Sequence, residues 1–310
     1  MPNIKHAFVS GKSDGGDTSL VRPSNWNAEH TLDTSLDYPE QTTNPSTPAS
    51  GQARVFARVR GGHTALEVLQ DNGHLSTMGV SEAFSTCYKI QPGTGTAAIT
   101  IVIGVGCGFP ASGANTYALP TPATGSVLNT SRRYTLETGT TSGTFMNVRN
   151  NALICSTVTG FFYSSTVSLI GTSANHRTFF GLMNSTGAIT TATDWTTSSS
   201  QSKIGLACSS NTGNWRIVWG PAGSAPTATD LGANFPVNTT DFLRLTLFCL
   251  RDGSSIAYEV ENITTGNVTT GTASSNLPSG QMGGYQHHTN NTNGTNVGYA
   301  STGWYIETDY

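Results

Sequence analysis

Runs of residues that alternate between apolar and polar positions recur along most of the chain. In the segment 242–250, Leu243, Leu245, Leu247 and Cys249 occupy every second position. A period of two residues is typical of a β-strand, whose successive side chains point to opposite faces of the sheet. Strand-like runs, separated by turn-forming residues, are clearest at nine places: Ala97–Val105, Arg133–Glu137, Gly160–Ile170, Arg177–Met183, Ile204–Cys208, Trp215–Trp219, Phe242–Leu250, Ile256–Glu261 and Gly303–Glu307.

A further alternating pattern, in residues 54–80, predicts a β-hairpin. Two alternating runs flank Gly61-Gly62, and a glycine pair suits the positive φ angles that tight hairpin turns need. The first run also carries a row of three arginines, Arg54, Arg58 and Arg60. We expect this row to face outward opposite Glu67, as a solvated sheet face or, alternatively, as an anion site.

These patterns divide the chain into three parts. Residues 1–48 have little periodic hydrophobicity and many turn formers, so they predict an extended arm. Residues 49–80 form the small β-hairpin unit, and residues 81–310 predict an antiparallel β-sandwich of jelly-roll type. No segment predicts a helix longer than about two turns, although Ser81–Thr86 is compatible with a short one. The predicted fold class is therefore all-β.

The composition supports this fold class. Gly, Ser, Thr and Asn together account for 139 of the 310 residues, and only 11% of the chain is charged, against about 25% in typical soluble domains. These small and β-branched residues disfavour helices. Disorder is not expected, because 12 Phe, 10 Tyr and 5 Trp can build a core.

Charge and cysteine content exclude several function classes. A net charge of -3 gives no broad basic face for nucleic acid, and the most apolar stretch is too short for a membrane helix. The N-terminus lacks the apolar core of a signal peptide. The five cysteines are widely spaced, so we expect most of them to be reduced and buried rather than to hold zinc. No metal, cofactor or membrane insertion is predicted.

Glu259 and Glu261 are the strongest enzymatic feature of the sequence. They lie on one side of a predicted strand, as the paired carboxylates of β-sandwich glycosidases do. A solvated strand face explains two glutamates equally well, and no catalytic serine elbow or zinc motif accompanies them. We therefore expect no enzyme, with a glycosidase as the alternative. Trp215 and Trp219 share a strand face, and core packing is the expected use of at least one of them.

The segment 283–294 is rich in hydrogen-bonding side chains and predicts a long surface loop. It is either simply solvated or in contact with a ligand. If the protein binds a sugar, Tyr285 would be the stacking platform. The candidate receptor-contact residues are Tyr285, His287, His288, Asn290 and Asn291.

Residues His6 to Thr31, above all the run Leu-Val-Arg-Pro-Ser-Asn-Trp-Asn-Ala-Glu-His that ends at His30, resemble the opening segment of tailed-bacteriophage virion proteins, especially tail-fibre proteins. In such proteins a small β-unit and a concanavalin-like or jelly-roll sandwich commonly follow, and Arg177–Leu182 and Asp230–Pro236 are similar to that sandwich. The resemblance implies a virion component made in the bacterial cytoplasm. Its particle-attachment residues would be Arg22, Pro23, Trp26, Asn27 and His30.

The resemblance also implies partners. Other virion proteins would hold the arm, and the chain would form a symmetric oligomer, with a homotrimer as the first expectation. A tail or collar fibre would present the sandwich to host-surface glycan. The alternative is a capsid decoration or head-fibre protein that grips the particle without binding a receptor.

Overall fold

The computed structural model describes residues 38–60, 63–71, 75–77, 86–92, 99–103, 107–108, 116–120, 123–189 and 193–309. These residues contain nineteen β-strands and one helix, α1 (Val127–Thr130), whose first turn is capped by Ser126. The predicted arm up to Asp37 and most of the predicted Ser81–Thr86 helix lie outside these ranges. No helix in the described ranges is long and apolar enough to cross a membrane.

The predicted hairpin of residues 54–80 is confirmed. Strands β1 (Ala53–Arg60), β2 (His63–Gln70) and β3 (Leu75–Thr77) form a three-stranded sheet in that order. The first two strands are antiparallel, with Arg60 opposite His63 across the Gly61-Gly62 connection.

The predicted orientation of the arginine row is wrong for Arg58. Its side chain is buried, as is Glu67, which lies on the same face of the hairpin. Arg58 Nη1 donates to Asn44 Oδ1 at 2.6 Å, and Arg54 Nη1 donates to Ser46 O at 2.9 Å. The segment before the hairpin thus lies over the arginine face. The opposite face of the hairpin is the solvated one. It carries three exposed apolar side chains, Val55, Val59 and Leu66.

Two further sheets contain the remaining strands. In the described ranges, the nine-stranded sheet consists of β4 (Thr86–Pro92), β5 (Ile99–Ile103), β7 (Thr116–Ala118), β8 (Tyr134–Glu137), β10 (Phe161–Gly171), β15 (Leu243–Cys249), β16 (Ile256–Asn262), β17 (Asn267–Ala273) and β19 (Gly298–Thr308). Seven of them follow the order β17-β16-β15-β10-β19-β4-β5, while β8 pairs with β19 and β7 with β8.

The seven-stranded sheet consists of β6 (Cys107–Gly108), β9 (Phe145–Asn150), β11 (Arg177–Met183), β12 (Lys203–Cys208), β13 (Arg216–Gly220), β14 (Thr227–Asp230) and β18 (Gly283–Thr289). Its order is β14-β13-β12-β11-β18-β9-β6. Neighbouring strands in the described parts of both sheets are antiparallel.

The two sheets enclose one hydrophobic core. Phe180 of the seven-stranded sheet contacts Tyr299 of the nine-stranded sheet, with ring centroids 5.0 Å apart. Trp219 and Tyr258 meet across the sheets in the same way, at 6.2 Å. Burial of each such side chain contributes about 1.5–3 kcal/mol. The predicted all-β fold with an antiparallel jelly-roll or concanavalin-like sandwich is confirmed.

Two sequence predictions about the core are also confirmed. Trp215 and Trp219 are both buried in it. The three cysteines whose side chains are described, Cys155, Cys208 and Cys249, are free and buried. Burial raises the pKa of the Cys208 thiol to about 12, so this thiol stays protonated at neutral pH.

Two glycines face each other at the centre of the seven-stranded sheet. A Cβ on Gly181 would lie 2.2 Å from Ile204 O, and one on Gly205 would lie 2.3 Å from Phe180 O. Both distances are far shorter than van der Waals contact. The close approach of β11 and β12 at this point therefore requires glycine on both strands.

Candidate functional site

A small open pocket lies on the outer face of the nine-stranded sheet, the face turned away from the sandwich core. It is located between β10 and β19 and has a volume of about 170 Å³. Drug-sized ligands occupy pockets of about 300–1,000 Å³, so this one has room for a single small ring. Its lining combines hydroxyl and aromatic side chains: Ser164, Ser165, Thr166, Thr302, Gly303, Trp304 and Tyr305.

The pocket exists because the pairing of β10 with β19 is interrupted. Ser165 lies opposite Trp304, but Val167 lies opposite Ser301, so two residues of β19 face only Thr166. This irregularity is a β-bulge, which bends the strand locally. Gly303 within it has a φ of 94°, and its carbonyl accepts a hydrogen bond from Ser165 Oγ at 3.0 Å.

Tyr305 supplies the aromatic surface of the pocket. Its ring is half-buried and meets the ring of Phe162 edge to face at 6.3 Å. Its hydroxyl donates to Glu307 Oε1 at 2.8 Å. These two contacts fix the orientation of the ring, so a ligand that stacks on it would not have to order it first.

Apart from the carboxyl group of Glu307, the polar side chains beside the Tyr305 ring are mostly hydroxyls. Ser164, Thr166 and Thr302 are half-buried, and within the described part of the chain their hydroxyls have no hydrogen-bond partner. Each hydroxyl can donate one hydrogen bond and accept two. A fixed aromatic ring beside unengaged hydroxyls can hold a small polyhydroxylated molecule, which needs both an apolar face and several hydrogen bonds.

Glu259 and Glu261 lie on the same outer face, on β16. Arg244 Nη1 contacts Glu261 Oε2 at 3.1 Å, and Arg244 is the register partner of the pocket residue Thr166. Glu261 therefore neutralises this arginine beside the pocket. Glu259 is buried and lies opposite Thr246. It is thus not part of a solvated strand face, as one interpretation of the sequence had it.

The prediction of a surface loop at 283–294 is wrong for most of its residues. Tyr285, His287 and His288 belong to β18, which is hydrogen-bonded to β11 on one side and β9 on the other, and all three are fully buried. Asn290 is also fully buried. None of these four side chains can contact a receptor in this structure.

The polar side chains of β18 and of the turn after it have internal partners instead. The Tyr285 hydroxyl accepts from Ile189 N and donates to Gly187 O, both at 3.0 Å. Gln286, which points into the core, accepts from the Tyr134 hydroxyl at 2.6 Å. Asn290 Oδ1 accepts from Thr144 N at 3.1 Å. Asn291 is half-buried with a φ of 54°, which identifies it as a turn residue.

The histidines of β18 are buried in the neutral form. Desolvation lowers the pKa of His287 to about 3. It also lowers the pKa of His288 well below the usual value, and the neighbouring His176 and His287 act in the same direction. His288 Nδ1 shares a hydrogen bond of 2.6 Å with Thr178 Oγ1. The described residues contain no group of three or more metal-ligating side chains able to hold an ion.

The pocket at the bulge was not predicted from the sequence. Its residues are common in any Thr- and Ser-rich strand, and the bulge depends on the pairing of residues about 140 positions apart. Gly303, the first residue of the predicted strand Gly303–Glu307, is the one local signal of such a bulge. The predicted particle-attachment residues, Arg22, Pro23, Trp26, Asn27 and His30, lie outside the described residues.

No protein-family model and no curated protein matches the chain. Among solved structures, the carbohydrate recognition domain of Emp47p is similar at 10% identity and a TM-score of 0.46, covering 75% of this chain and all of that one. A protein of unknown function from Shewanella oneidensis MR-1 has 11% identity, a TM-score of 0.46 and coverage of 72% and 85%. Peanut lectin has 11% identity, a TM-score of 0.41 and coverage of 66% and 97%. These similarities carry no conclusion about function.

Proposed function

We propose that the protein is a structural component of a bacteriophage virion, a tail or collar fibre that binds host-surface glycan through its β-sandwich. The N-terminal arm, with Arg22, Trp26 and His30, anchors it to other virion proteins. The pocket between β10 and β19 holds the sugar. The observation that supports glycan binding is the fixed Tyr305 ring beside three hydroxyls that have no hydrogen-bond partner among the described residues. The virion assignment is supported by the resemblance of the arm alone.

The size of the pocket sets the expected affinity. A monosaccharide has about 12 non-hydrogen atoms, and ordinary ligands gain about 0.3 kcal/mol per atom. The resulting binding free energy of about 4 kcal/mol corresponds to a Kd of about 1 mM. Attachment at this affinity requires several copies acting together on one cell surface, which a virion provides.

The first experiment measures binding of fluorescent beads that carry many copies of the full-length protein to a panel of bacterial strains, each with and without its surface polysaccharide, because single copies with millimolar affinity would not stay bound. Wild type is expected to bind at least one strain, and this binding is expected to disappear when the surface polysaccharide is removed. Tyr305→Ala is expected to abolish binding, because it removes the stacking surface. Tyr38→Ala is the matched control, since Tyr38 is an exposed tyrosine outside the sandwich. Binding that survives Tyr305→Ala would overturn the assigned pocket.

The second experiment concerns the arm. Deletion of residues 1–35 is expected to abolish incorporation into virions while the sandwich keeps its thermal unfolding transition. Normal incorporation of the truncated chain would overturn the anchoring role. Incorporation of the full-length protein in hundreds of copies per particle, without binding to any strain, would instead support the capsid decoration alternative.

A further inference from the structure

One edge of the nine-stranded sheet is open in the part of the chain that the structure describes. Strand β17 is the last strand at that edge, and among the described residues it pairs only with β16. In an antiparallel pair, alternate residues turn their N–H and C=O groups toward the neighbour, so the others in 267–273 turn theirs outward. Val268, Thr270 and Thr272 are all exposed. The strand contains no charged residue and no proline.

The edge of the seven-stranded sheet differs in each respect. Strand β14 has four residues instead of seven, and one of them is Asp230. Pro226 immediately precedes the strand and cannot donate a backbone hydrogen bond. Short edges that carry charge or proline resist pairing with another strand, whereas long neutral edges invite it. The β17 edge and the β14 edge are therefore built for different surroundings.

We infer that β17 pairs with β17 of a second copy of this chain. Two identical strands related by a two-fold axis run antiparallel, and such a contact closes on itself as a dimer. When the axis passes midway between Thr270 of the two copies, the whole strand is paired and Val268 lies opposite Thr272 of the partner. Because the strand is neutral, no like charges face each other across the axis. The chemistry of this edge thus fits a copy of itself.

The pairing would join the two nine-stranded sheets into one continuous sheet. It would also place two glycan pockets on the same dimer, a consequence that rests on the proposed function. The pocket lies between the fourth and fifth strands counted from β17. With strands about 4.8 Å apart, the two pockets of a dimer would be about 40 Å apart on one face of the sheet. Two weak sites held at a fixed spacing on one face bind a polysaccharide surface more tightly than one site does.

The test compares Thr270→Lys with Thr229→Lys, which places the same charge on the exposed β14 edge. Mass photometry and light scattering on the full-length chain are expected to give a dimer for wild type and Thr229→Lys, but a monomer for Thr270→Lys. Equal far-ultraviolet circular-dichroism spectra of the three proteins would show that each is folded, since both substituted residues are exposed. The unfolding temperature of Thr270→Lys is expected to be the lowest of the three, because this variant lacks the dimer contact. A monomeric wild type, or a trimer unaffected by Thr270→Lys, would overturn the proposal.

A cysteine variant provides a second readout that does not depend on weakening the fold. Directly opposed residues in an antiparallel pair have Cα atoms about 4.5–5.5 Å apart, within the range of a disulfide. Mild oxidation is therefore expected to cross-link Thr270→Cys as a dimer, and Thr229→Cys is the control that stays uncross-linked. Equal cross-linking of both variants would contradict the assigned edge. If the edge assignment fails but Tyr305→Ala still abolishes cell binding, only the dimer is refuted and the glycan pocket stands.

Discussion

Acidification is expected to destabilise the sandwich through its buried histidines. The unfolded chain binds a proton at each histidine below about pH 6.5, whereas His287 in the folded chain has a pKa of about 3. Between these values the unfolded state binds more protons, so stability falls as the pH falls, by about 1.4 kcal/mol per pH unit for this residue. From pH 7.5 to 4.5 the loss due to His287 is about 3 kcal/mol. His176 and His288 contribute in the same direction.

The assay is urea unfolding followed by tryptophan fluorescence at pH 7.5 and 4.5. His287→Phe removes the titrating group while it keeps an aromatic ring against Trp195, whose centroid is 5.4 Å away. Neither ring nitrogen of His287 has a hydrogen-bond partner among the residues that the structure describes. The change therefore removes no hydrogen bond found there, and it should alter the free energy of unfolding at pH 7.5 by about 1–3 kcal/mol at most. The loss on acidification should be about 3 kcal/mol smaller than in wild type.

Tyr285→Phe is the matched control on the same strand. It removes a hydroxyl that bonds Ile189 and Gly187, and its cost of about 1–3 kcal/mol should be equal at both pH values. If acidification lowers the free energy of unfolding by the same amount in wild type and in His287→Phe, then His287 is not buried in the neutral form.

Two further predictions concern the core. Gly205→Ala places a Cβ 2.3 Å from Phe180 O and should lower the free energy of unfolding by more than about 3 kcal/mol. Gly213→Ala is the control, because its Cβ would have open space around it. With a φ of 85° at this position, the substitution should lower the free energy of unfolding by only about 1 kcal/mol. Similar urea midpoints for the two variants would contradict the close approach of β11 and β12. Gln286→Leu removes the acceptor of the buried Tyr134 hydroxyl and should lower the free energy of unfolding by about 1–3 kcal/mol. Adding Tyr134→Phe to the same chain should restore part of this free energy, because no hydroxyl is then left without its acceptor.

Alternation along the sequence was sufficient to predict strands with one apolar face toward the core. The predicted Arg177–Met183 matches β11 residue for residue, and Ile256–Glu261 matches β16 to within one residue. The same reasoning failed for β18, because both of its faces are covered and its polar side chains bond to partners distant in sequence, such as Tyr134. A run of Tyr, Gln and His without apolar alternation looks like a loop when those partners are unknown.

The candidate pocket could not be predicted from the sequence for a related reason. The pocket depends on which residues of β10 and β19 face each other, and neither strand reveals a register shift by itself. Arg58 likewise follows the alternation of its strand, but its burial depends on Asn44 in a segment without periodicity. Local patterns therefore predicted many of the strands, while the candidate pocket and the burial of Arg58 are set by long-range contacts.

Binding of a host oligosaccharide at Tyr305 can be measured by saturation-transfer NMR on the full-length protein. The probe is an oligosaccharide released from a strain that the protein binds. Wild type and Tyr38→Ala are expected to bind it with a Kd of about 1 mM, and Tyr305→Ala at least about tenfold more weakly, a difference of about 1.4 kcal/mol. Equal transfer to the sugar from wild type and a folded Tyr305→Ala protein would contradict the account.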